Sequence, residues 1–142
     1  LAAQLGADAV DPRETDLAAY TRDTYGDGAD VSFEASGAGA ITLKAAVAAV
    51  RNGGTIVMVA SSHGEVPIDL NTIMNSQKRL VGTLAFTNED FAEVITAIAD
   101  GTLDPSPLVS STISLDDASE KGLNHLLGEG RNSEVKILVR PY

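Results

Sequence analysis

Ser61, Ser62 and His63 have the residue types of a nucleophile and its base. As neighbours at the end of one strand they do not face one another, and they read as a polar loop. The more informative residues are small. Ser36 and Gly37 close the run Asp30-Val31-Ser32-Phe33-Glu34-Ala35, and Val59, Ala60 and Ser61 close the run Thr55-Ile56-Val57-Met58. Small residues at strand ends favour recognition over bond-breaking, because no bulky side chain separates a ligand from the backbone. In an open parallel sheet, ligands settle beyond the carboxyl ends of strands. Glu34 stands inside an apolar run and needs a hydrogen-bond partner if buried, which gives it a structural role. His125, among Leu123, Leu126 and Leu127, reads as a partly buried, hydrogen-bonded side chain.

These residues must be carried by alternating strands and helices. Residues 1–6 read as the last turns of a helix already under way, stopped by Gly6, which predicts that the chain is part of a longer protein. A short strand over 7–11 ends at Pro12, and a helix over 16–25 is stopped by Gly26-Asp27-Gly28. Strand 30–35, helix 40–51 and strand 55–60 follow. Arg51 is expected at the helix C-terminus, with Gly53 just past it. The β-branched run 55–60 has the pattern of a strand covered on both faces. Residues 61–79 connect through a helical piece, 71–76, to strand 78–84. Asn88-Glu89-Asp90 caps a helix over 89–100, residues 108–115 are extended, a helix covers 117–128, and 135–139 is the last strand. Alternation of this kind predicts right-handed crossovers and a parallel sheet. Arg51 and Lys78 are expected to be solvated.

Composition narrows the function. The 142 residues carry 20 acidic and 10 basic side chains, a net charge of −10. Phosphate-backbone binding draws on clustered Lys and Arg, and no such cluster exists, so nucleic acid is not an expected partner. With no Cys, disulfides and Cys-ligated metal sites within the chain are excluded. No apolar run reaches the length of a membrane span, and a cytoplasmic location is expected, with no membrane partner.

The ordered segments resemble the downstream part of a medium-chain dehydrogenase of the zinc-containing alcohol dehydrogenase family. Ala2 to Asp11, Asp30 to Gly37, Arg51 to Val59 and Lys78 to Thr83 resemble the family's third to sixth strands. Ser114 to Asp117 and Val135 to Val139 resemble its closing helix start and last strand. Gly82 to Thr87, Asp90-Phe91 with Val94-Ile95, and the tail Val135 to Pro141 are similar to the sorbitol, butanediol and threonine dehydrogenase branch. The resemblance implies an α/β fold. Residues 1–86 would form a partial Rossmann-type, doubly wound parallel sheet, and 87–142 a C-terminal segment returning to the catalytic domain.

The same resemblance implies the site. The turn at Ser36 and Gly37 would run past the adenosine ribose of NAD or NADP. Val59, Ala60 and Ser61 would lie near the nicotinamide ribose, although the family often has Gly where Ala60 stands. Backbone groups of Leu84, Ala85 and Phe86 would bind the nicotinamide carboxamide, and Lys136, otherwise a solubility device on a strand, would reach the pyrophosphate. The phosphate loop G-x-G-x-x-G is not carried by Gly37-Ala38-Gly39-Ala40-Ile41-Thr42, which lacks the third Gly. That loop, the acidic residue that tells NAD from NADP, and the zinc ligands would all lie upstream. The implied parent oxidises a small alcohol or reduces a ketone with NAD(P) and zinc, while this chain alone has no catalytic residue and no activity. The expected partners are the missing upstream portion or a second copy of the chain, since the edge of strand 30–35 would otherwise stand unpaired. Relatives in the branch form dimers or tetramers, so a homo-oligomer is expected. Two other readings remain: a zinc-free, quinone-reductase-like NADPH oxidoreductase portion, and a non-enzymatic nucleotide-binding module.

Overall fold

The computed structural model describes residues 1–141. The chain divides into two compact units, Leu1–Ala85 and Phe86–Tyr142. In the first, α1 (Leu17–Tyr25), β1 (Ala29–Glu34), α2 (Ala40–Ala49), β2 (Val50–Met58), α3 (Leu70–Asn75) and β3 (Arg79–Gly82) follow in order. Asp16 starts α1 by accepting hydrogen bonds from the Ala18 and Ala19 amides, two of the groups that a helix start leaves free. Asp69 does the same for Asn71 at the start of α3. The three strands are parallel, in the order β1-β2-β3. Glu34 lies opposite Met58, and Met58 opposite Gly82, so all three carboxyl ends finish at one level.

The core sits between α2 and β2. Leu43 and Val47, one helical turn apart, pack with Val50 and Ile56, and Met58, Val66, Ile68 and Ile73 close around them. Ile56 is 0% exposed, a burial that contributes about 2–3 kcal/mol. The close approach of β1 and β2 requires Gly54, where a Cβ would stand 2.8 Å from the Asp30 carbonyl oxygen and run into Val50 Cγ1. There the register shifts, from Ala29 opposite Val50 to Val31 opposite Thr55.

Several local expectations are corrected. Residues 7–11 form no strand; a strand exists only through a ladder to a neighbour, and none lies beside them among the described residues. Helix 40–51 ends at Ala49, because Val50 turns extended (φ −86°, ψ 138°) and begins β2. The Gly-Gly pair therefore lies inside the strand, and Val59 and Ala60 follow its end. Arg51 is not a helix-terminal cation: its Nε donates to Asp30 Oδ1 at 2.6 Å across the two strands. Nor is Lys78 simply solvated. Its Nζ donates to the Val47 carbonyl at 2.7 Å, satisfying a helix-end acceptor, and partial burial lowers its pKa from the usual lysine value.

In the second unit, α4 (Asn88–Ala99) is capped by Thr87, not by Asn88-Glu89-Asp90. The Asp90 amide donates to Thr87 Oγ1 at 3.1 Å and the Thr87 amide to Asp90 Oδ2 at 2.7 Å, a reciprocal capping box. These bonds hold the Asp90 carboxyl below the usual carboxylate range. Strands β4 (Val109–Ser114) and β5 (Lys136–Arg140) pair in parallel. The helix expected over 117–128 is a wide π-helical turn, Ala118–Asn124, followed by one α-turn, His125–Leu127. Gly122, the weakest helix former there, packs so close to Ile113 that a Cβ would stand 3.2 Å from its Cδ1. His125 Nε2 lies 3.5 Å from Glu134 Oε1.

Candidate functional site

The carboxyl ends of β1 and β2 are tied together through one residue. The Glu34 carbonyl accepts from the Val59 amide at 2.9 Å and from the Ala60 amide at 3.1 Å. Its side chain is 3% exposed, and Oε1 accepts from the Ser36 amide at 3.2 Å and from the Ser36 hydroxyl. Ser36 Oγ in turn accepts from the Ala38 amide at 3.1 Å and lies 3.2 Å from Thr42 Oγ1. Hydrogen bonding by the Ser36 hydroxyl, then that of Thr42, holds the Glu34 carboxyl below the usual carboxylate range. Oε2 is buried and makes no hydrogen bond.

Gly37 completes the junction. Its φ is +67°, and a Cβ on it would stand 2.8 Å from the Ser61 carbonyl oxygen. Both facts call for glycine. Ser36, Gly37, Val59, Ala60 and Ser61, chosen from the sequence, thus converge on two adjoining strand ends. At the neighbouring end of β3, the Thr83 amide donates to the Met58 carbonyl at 3.1 Å. Leu84 follows, 90% exposed, and Ala85 has a φ of +55°. A left-handed alanine is an uncommon, costly conformation, and such residues cluster at ligand sites. Phe86 and Lys136 lie in the second unit. Phe86 stacks on Phe91 with ring centroids 5.8 Å apart, and Lys136 opens β5 with an exposed side chain.

Beside β1, on its open side, Leu17, Ala18, Phe33, Ile41 and Ala45 line an apolar cleft of about 690 Å³ to which Glu34 and Ser36 also contribute. Phe33 is 68% exposed there. The donor set does not suit a metal ion. Among the described residues no three His, Cys, Asp or Glu side chains come together, and the sequence has no Cys. Among the same residues no helix is long and apolar enough to cross a membrane.

Two features escaped the sequence reading. Glu34 was legible as a charge needing a partner, but not as the link between two strand ends. The left-handed Ala85 had no signal at all, since alanine does not announce a positive φ.

Parallel strand ends closed by small residues occur in many folds, and comparison with known proteins decides among them. A family model described as zinc-binding dehydrogenase matches residues 1–100. The chain belongs to this family. It is 33% identical over 141 residues to (R,R)-butanediol dehydrogenase of Bacillus subtilis (strain 168), covering 99% of this chain and 40% of the relative. It is 38% identical over 138 residues to 2-dehydro-3-deoxy-L-galactonate 5-dehydrogenase of Pseudoalteromonas atlantica, covering 96% and 39%. The crystal structure of 2R,3R-butanediol dehydrogenase from Bacillus subtilis superposes with a TM-score of 0.88 at 33% identity, covering 99% of this chain and 40% of that one. This chain therefore spans about 40% of the length of the zinc-binding dehydrogenases it matches. The family is the one that the ordered segments resembled, and the fold is the expected α/β arrangement with parallel strands.

Proposed function

We propose that this chain supplies the nicotinamide side of the cofactor site in an NAD(P)-dependent, zinc-containing dehydrogenase of small secondary alcohols or polyols. One observation carries the reading: three parallel strand ends stand level, two joined at Gly37 and Ser61, the third followed by a left-handed Ala85. Exposed backbone and small side chains there suit a flat ring and a ribose. When bound, the dinucleotide supplies the hydride acceptor. The chain's own share is to bind and orient. Residues 36–37 and 59–61 offer close backbone approach to the ribose, and Leu84, Ala85 and Phe86 offer backbone groups to the carboxamide. Lys136 offers a cation to the pyrophosphate. Residues 1–86 would then belong to the dinucleotide-binding domain and 87–142 to the returning segment of the catalytic domain. Because these residues do not suit zinc, the metal would be held by side chains outside this chain. The relatives are named as dehydrogenases of (R,R)-butanediol and of 2-dehydro-3-deoxy-L-galactonate, which supports the substrate class. A cytoplasmic homo-oligomer completes the proposal.

The test is a fluorescence titration of the full-length protein with NADH and NADPH, followed by an assay with NAD and 2,3-butanediol or sorbitol, with and without a chelator. Saturable binding of one cofactor and chelator-sensitive oxidation are expected. Turnover that survives chelation would favour the zinc-free alternative. Failure to bind either cofactor would overturn the reading.

A further inference from the structure

We propose that the Glu34 carboxylate is a positioning group of the cofactor site: it orders the Ser36–Gly37 turn after β1 without touching the dinucleotide. The inference rests on the reading above and deepens it. All five first-unit candidates on these two ends are bound to Glu34 directly or one step away. The main-chain carbonyl of Glu34 takes both the Val59 and Ala60 amides, which sets the turn that the side chain orders directly against the end of β2. The side chain's Oε1 takes both the amide and the hydroxyl of Ser36. Gly37 is the next residue, pressed against the Ser61 carbonyl oxygen, and Ser36 Oγ carries the connection on to the Ala38 amide and towards Thr42 at the start of α2.

Oε2 has no hydrogen-bond partner among the described residues, and both hydrogen bonds that Oε1 accepts in the geometry come from Ser36. A leucine of similar size would fill the same buried space without leaving an acceptor unmet. Packing therefore does not explain a carboxylate at this position, whereas the ordering of Ser36 does.

The prediction is a change in cofactor affinity separable from stability and from turnover. In the full-length protein, Glu34→Leu is expected to raise the Kd for NADH about tenfold or more, the scale of losing hydrogen bonds to a charged acceptor. Glu34→Gln keeps an oxygen for Ser36 and should stay within about threefold of the parent by the same reasoning. Ser36→Ala, which removes only the hydroxyl, should fall between them. With NAD saturating, kcat should stay near the parent value while the KM for NAD rises. A purely structural role would instead lower Tm and kcat together and show no rescue by Gln. NADH binding by Glu34→Leu equal to the parent would overturn the inference. Should that variant fail to fold, unchanged NADH binding by Ser36→Ala would do so. If the parent itself binds neither NADH nor NADPH, the functional reading fails first. Parent binding with unaffected variants sinks only the role of Glu34.

Discussion

The two units of this chain are stabilised in different ways. Leu1–Ala85 has a small but closed core in which α2 covers β2, and its critical contacts join residues far apart in sequence: Leu43 with Ile56, Lys78 with Val47, Glu34 with Val59. In Phe86–Tyr142, α4 is well capped, yet its apolar residues Phe91, Val94, Ile95 and Ile98 are all exposed within the chain, Phe91 by 56%. It combines short-range devices, such as the Thr87–Asp90 box and the Ser114–Asp117 bonds, with the long-range β4–β5 pair, but none of its described apolar side chains is buried. A closed core can hold a site to a fixed shape, and the convergent candidate residues 36–37 and 59–61 lie in the unit that has one.

Substitutions can break this contrast. The largest effect is expected from Ile56→Ala, which should cost about 2–5 kcal/mol by transfer and cavity. Urea melts followed by amide exchange should show the first unit losing protection. Phe91→Ala, on an exposed face, should change chain stability by less than about 1 kcal/mol. A loss as large as that from Ile56 would mean the second unit has a packed core of its own.

Next comes Gly54→Ala, where the new methyl meets the Asp30 carbonyl. The overpacking should cost about 1–3 kcal/mol, read as a shift of the denaturation midpoint. A neutral result would show that β1 and β2 can separate freely. Smaller again is Thr87→Ala, which removes a cap and should cost about 1 kcal/mol, confined to exchange at the first turn of α4.

The finest distinction is by pH. Asp90 and Glu34 both have folded-state pKa values below the ordinary carboxylate range. Each therefore contributes stability that is complete above its unfolded pKa and is lost as pH falls through the lower folded value. On acidification, amide protection factors, taken relative to the intrinsic exchange rate at each pH, should fall at the start of α4 and at residues 36–38. Asp90→Asn should flatten the first response and leave the second unchanged. If it also moved the second, the two regions would be coupled.

Much of this was legible before any coordinates. The strand runs 30–35 and 55–60, the helix stops at Gly26 and Gly101, and the candidate strand ends all follow from local pattern, because period and punctuation are local properties. Where structure and sequence pattern differ, distant partners are the cause. Residues 7–11 have strand-like composition but no ladder neighbour among the described residues, and the helix end where Arg51 is expected is reached instead by Lys78, 31 residues from Val47.

The sequence alone determined the class of the molecule: alternating elements, glycine at the turns, no thiol chemistry, and an ordered set of family segments. Only the tertiary structure decided which small residues meet, that Glu34 joins two strand ends, and that Ala85 turns left-handed. Those outcomes depend on register and on contacts between distant residues, which hydrophobic period and turn chemistry do not encode.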